Sequence, residues 1–258
     1  MFTNLFPTQL SKTIKRIFST IPNPPILLKL MPATQDGESC VKTTPPYAFL
    51  CQNERDRLKK YTLAKRQSEY LTGRICAKIS TMSYLQSCGQ HCAAMEQIEI
   101  INAESGYPFV KINPESLAPI PKISLSHSKE YALALAAQYR CGVDIQRQEK
   151  TLKKLQEKYC TDGEFSVLLK TLSKGNVLPG LTLLWSAKEA IQKSLSADVM
   201  PYFSEIRLQQ CKKIEKNNVV LTFSLLTDRN PKWPRGITVA AGIFKNYAMA
   251  VTTLEGDC

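Results

Sequence analysis

The middle of the chain constrains the fold most strongly, because it carries two strand patterns joined by a short connection. Tyr131, Leu133 and Leu135 alternate with three alanines, which predicts a half-buried β-strand whose two faces are both apolar. Residues 138–140 are short enough for a connection, and residues 142–146 predict a second strand running back. The pattern therefore predicts a β-hairpin at the centre of the chain.

Further elements are predicted on both sides of this hairpin. Strand patterns occupy residues 26–31, 98–101, 204–211, 218–227 and 237–254, and helical patterns occupy residues 52–84, 151–159, 162–172 and the segment through Lys193. This order favours an α+β fold of two related α/β halves, a pseudo-dimer in which each half is a small, mainly antiparallel sheet packed with helices. We divide the chain into an N-terminal extension (1–24), an N-terminal half (25–140) and a C-terminal half (141–258).

Composition restricts the partners and the compartment. With 43% hydrophobic and 22% charged residues the chain can bury a core, and its net charge of +12 favours an anionic partner. Nucleic acid, an anionic membrane surface, a phosphorylated small molecule and an acidic protein all remain open. No apolar run approaches the roughly 18–20 residues of a membrane span. The nine cysteines form no disulfide framework, so we expect a cytoplasmic protein without a membrane partner.

Two polar side chains project from one face of the strand at residues 142–146. Val143 and Ile145 point to one face, and Asp144 and Gln146 point to the other. A carboxylate and a carboxamide at this spacing suit an oxygen-preferring cation such as Mg²⁺. A polar outer face on an edge strand explains the same residues.

The segment around Glu189 has two interpretations. Ser186 and Glu189 match a helical capping box, which explains both residue types without any chemistry. The capping box does not explain Trp185, Lys188 or Lys193, and Glu189 and Lys193 share a helix face at a spacing of four.

Two further groups are candidates for binding phosphate. Ser126 and His127 precede the predicted hairpin, although a lone histidine is usually structural. Arg66, Tyr70 and Arg74 follow one another on one helix face, which is either a phosphate grip or a solvated basic surface.

In this order the three segments resemble the 4'-phosphopantetheinyl transferases of the Sfp type. Ser-His-Ser at 126–128 comes first, Gly-Val-Asp-Ile at 142–145 follows, and Trp-Ser-Ala-Lys-Glu-Ala-Ile-Gln-Lys at 185–193 comes last. The last two match the two signature motifs of the family almost letter for letter. The resemblance covers roughly residues 26–254.

The resemblance implies an enzyme of the holo-acyl-carrier-protein synthase type. Such enzymes move the phosphopantetheine arm of coenzyme A to a serine of an apo carrier protein and release 3',5'-ADP. It implies that Asp144 and Glu189 hold Mg²⁺, that Glu189 is the general base, and that Lys193 contacts the diphosphate. It further implies that Arg66, Ser126 and His127 bind the nucleotide phosphates. Lys188 belongs to the motif, but the resemblance assigns it no definite contact.

The chain departs from the family pattern at two positions. Many relatives have a glutamate in place of Gln146, so we expect Gln146 to reach the metal only through water. Many relatives also have a lysine where Tyr107 stands.

The resemblance also implies the partners. These are coenzyme A and an acidic carrier protein, with no nucleic acid, and a two-halved chain is expected to act as a monomer. Two other functions stay open: a basic nucleic-acid-binding protein, which accounts for the charge alone, and an inactive homologue that only binds carrier proteins.

Overall fold

We describe the protein from a computed structural model. The structure describes residues 25–29, 46–90, 94–113, 119–172, 177–196, 199–215 and 218–254. The predicted N-terminal extension, residues 1–24, lies outside them.

The described part of the chain contains two five-stranded antiparallel sheets. The first is built from β1 (Ile26–Lys29), β2 (Ile98–Asn102), β3 (Pro108–Ile112), β4 (Lys122–Ser128) and β5 (Tyr131–Ala137). The second is built from β6 (Arg140–Arg147), β7 (Ile206–Glu215), β8 (Asn218–Leu225), β9 (Gly236–Phe244) and β10 (Tyr247–Leu254). The strand order is β1-β5-β4-β3-β2 in the first sheet and β6-β10-β9-β8-β7 in the second, so the two connectivities are identical. The predicted α+β fold of two related halves is confirmed.

Each sheet carries one long helix. The described helices are α1 (Gln52–Lys59), α2 (Ala64–Ser87), α3 (Lys150–Lys154), α4 (Asp162–Thr171) and α5 (Leu178–Leu195). Helix α2 packs on β5, β1 and β4, and α5 packs on β6, β10 and β9. None of these helices has the length and apolar character required to cross a membrane.

The central strand β5 separates two cores, because its side chains alternate. Its alanines face α2, where their small size admits the helix closely, and they belong to the core of the first half. Tyr131, Leu133 and Leu135 point the other way and pack with Val143 and Ile145 of β6. The two sheets therefore meet through β5 on one side and β6 and β10 on the other, and each long helix packs on the opposite face of its own sheet.

The predicted hairpin between β5 and β6 is wrong. These strands belong to different sheets, and β6 forms its backbone ladder with β10. On its other side, serine side chains of β4 take the place of a backbone ladder. The N–H groups of Val143, Ile145 and Arg147 donate to the hydroxyl oxygens of Ser124, Ser126 and Ser128 at 3.0, 3.3 and 3.1 Å. Apolar alternation looks the same for strands that pair and for strands that pack face to face, which explains the error.

The duplication extends to a buried ion pair in each half. Lys78 of α2 meets Glu54 of α1 at 2.6 Å, and Lys188 of α5 meets Glu164 of α4 at 2.8 Å. Each glutamate also accepts the backbone N–H of the third residue of the edge strand, in β2 and β7. Burial lowers the pKa of both lysines, whereas the glutamates favour their charged form. Each pair fastens a short helix and an edge strand to the long helix.

Breaking the first-half pair should destabilise the protein strongly. Lys78→Met leaves the carboxylate of Glu54 buried without its cation, so we expect the free energy of unfolding to fall by about 3 kcal/mol. The double variant Glu54→Leu/Lys78→Met should recover part of this loss, because no uncompensated charge remains. Urea denaturation followed by circular dichroism measures both. Lys59→Met, at an exposed pair with Asp56, is the control and should leave the midpoint unchanged. Equal destabilisation by Lys78→Met and Lys59→Met would contradict the assigned role.

Candidate functional site

A cleft of about 510 Å³ lies where the two halves meet. Helix α2, strand β4 and the turn between β2 and β3 form most of its wall, and the C-terminal end of α5 completes it. Its cationic lining consists of Arg57, Arg66, Arg74 and Lys193, and Glu69 is the one carboxylate among its described lining residues. The excess of positive charge suits an anionic ligand.

Asp144 lies beside this cleft and accepts three hydrogen bonds. Its Oδ1 accepts from the hydroxyl of Ser126 at 2.7 Å and from the ammonium of Lys193 at 2.8 Å. Its Oδ2 accepts from the hydroxyl of Ser186 at 2.7 Å. The carboxylate, 5% exposed, thus joins β6 to β4 of the first half and to α5 of the second.

Gly142 explains why α5 can approach β6 so closely. A Cβ atom at this position would overlap the backbone carbonyl of Ala190 and crowd the N–H of Ser194. Only glycine leaves the helix free to lie against the strand there. This close approach brings Ser186 and Lys193 within hydrogen-bond distance of Asp144.

The predicted capping box at Ser186 is wrong. Helix α5 begins at Leu178, with Pro179 in its first turn, so Ser186 lies well inside the helix. Its N–H and that of Glu189 are part of the helical ladder, and no orphaned donor remains there for a cap. The hydroxyl of Ser186 serves Asp144 instead.

Glu189 is a partly buried carboxylate without a hydrogen-bond or ion-pair partner among the described residues. Burial raises its pKa, and the negative charge of Asp144 raises it further. Lys193 opposes both effects. The repulsion between the two carboxylates favours a proton or a cation near Glu189.

The phosphate-binding candidates Arg66 and His127 both line the cleft, and both approach Glu69. Arg66 Nη1 donates to Glu69 Oε2 at 2.9 Å, and His127 Nδ1 lies 3.9 Å from Glu69 Oε1. Partial burial lowers the pKa of His127, and Glu69 counteracts this. Both candidates come from the first half of the chain.

Lys188 and Gln146 are not brought to the cleft. Lys188 is 1% exposed and its ammonium is occupied by Glu164 and by the carbonyl of Phe203. Gln146 shares a strand face with Asp144, but its amide donates to the backbone carbonyl of Arg147 at 3.1 Å.

Several cleft residues were missed by the sequence analysis. Glu69 lies one turn after Arg66 on the same helix face, so helical periodicity was the available signal. Asn102, which accepts from Arg74 at 2.6 Å, comes from a distant strand and left no such signal. Tyr107 lines the cleft, where burial raises its pKa to about 12, and it is therefore neutral.

Replacing Glu189 by glutamine should stabilise the ligand-free protein. The folded state raises the pKa of Glu189, so folding penalises the carboxylate at pH 7.5 and the penalty disappears as the pH falls and the group takes up its proton. We expect Glu189→Gln to raise the free energy of unfolding by about 1 kcal/mol in EDTA at pH 7.5, and by less near pH 5. Urea denaturation measures this, with the exposed Glu157→Gln as control. A loss of stability at pH 7.5 would contradict the unpaired state of Glu189.

Comparison with known protein sequences identifies a family. The model of the 4'-phosphopantetheinyl transferase superfamily matches residues 140–252. The holo-[acyl-carrier-protein] synthase of Bacillus pumilus (strain SAFR-032) is 36% identical over 90 residues, 34% of this chain and 72% of that protein. A crystal structure of a holo-(acyl-carrier-protein) synthase from Bacillus anthracis str. Ames, in complex with CoA (3',5'-ADP), is 29% identical and covers 34% of this chain and 76% of that chain, with a TM-score of 0.28. Because the sequence match spans most of the Bacillus pumilus protein, the chain belongs to the 4'-phosphopantetheinyl transferase superfamily.

Proposed function

We propose that this protein transfers the phosphopantetheine arm of coenzyme A to a serine hydroxyl of an apo carrier protein and releases 3',5'-ADP. The observation that carries the proposal is the joint site at the cleft. Cations of the first half line a cavity of about 510 Å³, Asp144 of the second half bonds to the lining residues Ser126 and Lys193, and Glu189 lies one helical turn before Lys193. The chain belongs to the 4'-phosphopantetheinyl transferase superfamily. The presence of two halves in one chain favours the Sfp type.

The cationic wall of the cleft suits the phosphates of coenzyme A. Arg66 reaches from α2 and His127 from β4, so the two can contact one phosphate group from two sides. Lys193 extends from α5 to the same cleft, where its ammonium can exchange part of its contact with Asp144 for the diphosphate. Ser126 contributes by fixing Asp144 beside the phosphates, because its hydroxyl is already donated to that carboxylate.

The carboxylates of this chain fit Mg²⁺ in the way that phosphate-transfer enzymes use it. No group of three or more His, Cys, Asp or Glu side chains arranged around a common metal position occurs among the described residues. Mg²⁺ usually needs only one or two carboxylates, since substrate phosphates and water supply its other ligands. Asp144 and Glu189 form such a pair, and their mutual repulsion is what a cation would relieve. Gln146 would act only through water.

The protein side chains divide the remaining work. Held by Asp144 and Glu189, Mg²⁺ would neutralise charge on the attacked phosphorus and on the leaving 5'-phosphate of 3',5'-ADP. Glu189 accepts the proton of the carrier serine as general base, directly or through water. Asp144, held by three donors, keeps its orientation throughout. Lys188 fixes the turn of α5 that carries Glu189 and does not itself contact the substrate.

The partner and the setting follow from charge and architecture. The net charge of +12 would steer an acidic carrier protein and make the encounter salt-dependent. One chain supplies both walls of the cleft, so the proposal includes a monomer. It also includes a cytoplasmic location.

Intact-mass spectrometry of an apo carrier protein tests the reaction. Incubation with this protein, coenzyme A and Mg²⁺ should add one phosphopantetheine group, and EDTA or Glu189→Ala should abolish the addition. Glu157→Gln, on the exposed face of the second half, is the matched control and should retain activity. An unmodified carrier of every type tested, together with no binding of coenzyme A, would overturn the proposal. Coenzyme A binding without transfer would favour the inactive homologue.

The two polar residues of β6 should differ in their effect on metal dependence. Asp144→Ala removes a direct ligand, so we expect the rate of transfer to fall on the order of 100-fold at saturating Mg²⁺. Gln146→Ala should change the Mg²⁺ concentration for half-maximal rate by less than about threefold, because an amide acting through water is a weak ligand. Rates measured across a Mg²⁺ titration separate the two. Full Mg²⁺-dependent activity in Asp144→Ala would rule out this metal site.

A further inference from the structure

Glu69 is an unexpected residue in a cleft that otherwise suits an anion. Its side chain is 8% exposed, it lines the cleft, and it lies on α2 one turn from Arg66. A buried carboxylate repels a phosphate through the low-dielectric protein interior, so its presence needs a compensating role.

The contacts of Glu69 indicate that role. Its carboxylate is shared by Arg66 at 2.9 Å, by Lys65 at 3.8 Å and by His127 at 3.9 Å. If Glu69 served only to form ion pairs within α2, it would contact Lys65 and Arg66 alone. The approach of His127 from β4 makes Glu69 a junction between the helix and the sheet, on the side of the cleft where both candidate phosphate ligands lie.

Arg66 gains most from such a junction. Its side chain is 61% exposed, and an arginine free in solvent must lose many rotamers before it can grip a phosphate. A fixed acceptor for its terminal Nη1 removes part of that loss before the ligand arrives. His127, 47% exposed, has its Nδ1 3.9 Å from the same carboxylate, an electrostatic contact longer than a hydrogen bond, and its other nitrogen is left for the ligand.

We propose that Glu69 is a positioning residue that holds Arg66 and His127 ready for one phosphate group of the coenzyme A nucleotide without touching that phosphate itself. This inference rests on the proposed function. It adds a residue to which none of the sequence motifs pointed.

The sign of the effect on affinity separates positioning from charge. Glu69→Gln removes one negative charge beside the ligand, so a purely electrostatic role predicts tighter binding of 3',5'-ADP. Positioning predicts weaker binding by about tenfold, with KM for coenzyme A raised and kcat nearly unchanged. Glu69→Asp keeps the charge but withdraws the carboxylate from Arg66, so it should weaken binding as well. Asp56→Asn, an exposed carboxylate of α1, is the matched control. Isothermal titration calorimetry with 3',5'-ADP measures each variant.

Nuclear magnetic resonance of the histidine side chains supplies a second measurement, the pKa of His127. A merely structural role of Glu69 would leave this pKa unchanged. The chain has two histidines, and the signal that remains in His91→Gln is that of His127. The charges facing His127 are Glu69, Arg66 and Lys65 of α2 and Lys193 of α5, and Glu69 alone among these raises its pKa. The pKa of His127 in ligand-free Glu69→Gln should therefore fall below that of the wild-type protein.

Three outcomes overturn the inference. Unchanged or tighter binding of 3',5'-ADP by Glu69→Gln, with wild-type binding intact, overturns the inference alone. An unchanged pKa of His127 in that variant removes the junction with β4 and has the same effect. Failure of the wild-type protein to bind 3',5'-ADP overturns the proposed function together with this inference.

Discussion

The site depends on one shared carboxylate, that of Asp144. Ser126 of the first half, and Ser186 and Lys193 of α5, all donate to it. Removing any of these donors would leave Asp144 less fixed, and removing Asp144 would leave a lysine and two buried hydroxyls without their acceptor. The same contacts hold the two halves and α5 together. They therefore fix both the geometry of the site and the packing of the halves against each other.

The duplication of the described halves does not extend to the carboxylates of the candidate site. The two halves repeat the strand order and the buried lysine–glutamate pair. Where Lys188 is followed by Glu189, Lys78 is followed by Ile79 on α2. Where Asp144 pairs with the fourth residue of β10, Ile26 pairs with the fourth residue of β5. The first half has thus kept the architecture without the carboxylates.

The first half contributes different chemistry to the cleft. Its long helix presents a row of cations that the second half lacks at the corresponding face, and β4 adds Ser126 and His127. The serines of β4 also replace a backbone ladder along β6. A row of hydroxyls can bond the edge of a strand while leaving room for a cleft, which a sixth paired strand would close.

Sequence patterns predicted local structure well and long-range relations less well. The strand pattern predicted at residues 237–254 corresponds to β9 and β10, with Lys245 and Asn246 between them. The helical pattern at residues 52–84 proved to be two helices, since nothing in apolar periodicity marks the break at residues 60–63. The predicted β5–β6 hairpin is wrong because β6 bonds to serines of β4, which are distant from it in sequence. The apolar alternation of β5 and β6 contains no information about those serines.

The case of Lys188 shows where local reasoning could have gone further. Adjacent residues of a helix are rotated by about 100°, so Lys188 cannot face the same direction as Glu189 and Lys193. Helical geometry alone therefore separates it from the cleft, whereas motif membership grouped it with the cleft residues. Its partner, Glu164, lies on another helix. The sequence signal for this pair was that Glu164 and Lys188 are separated by the same number of residues as Glu54 and Lys78.

If the proposed function holds, stability and activity are opposed at Glu189. A carboxylate that is partly buried, repelled by Asp144 and without a described partner weakens the ligand-free fold. The buried ion pair of the neighbouring Lys188 offsets this by fixing the same helical turn to α4 and β7. The helix can then carry an unfavourable charge at the cleft because the opposite side of that turn is held firmly. In the first half, where Ile79 takes the place of the charged residue, the corresponding pair persists because its architectural role does not depend on the site.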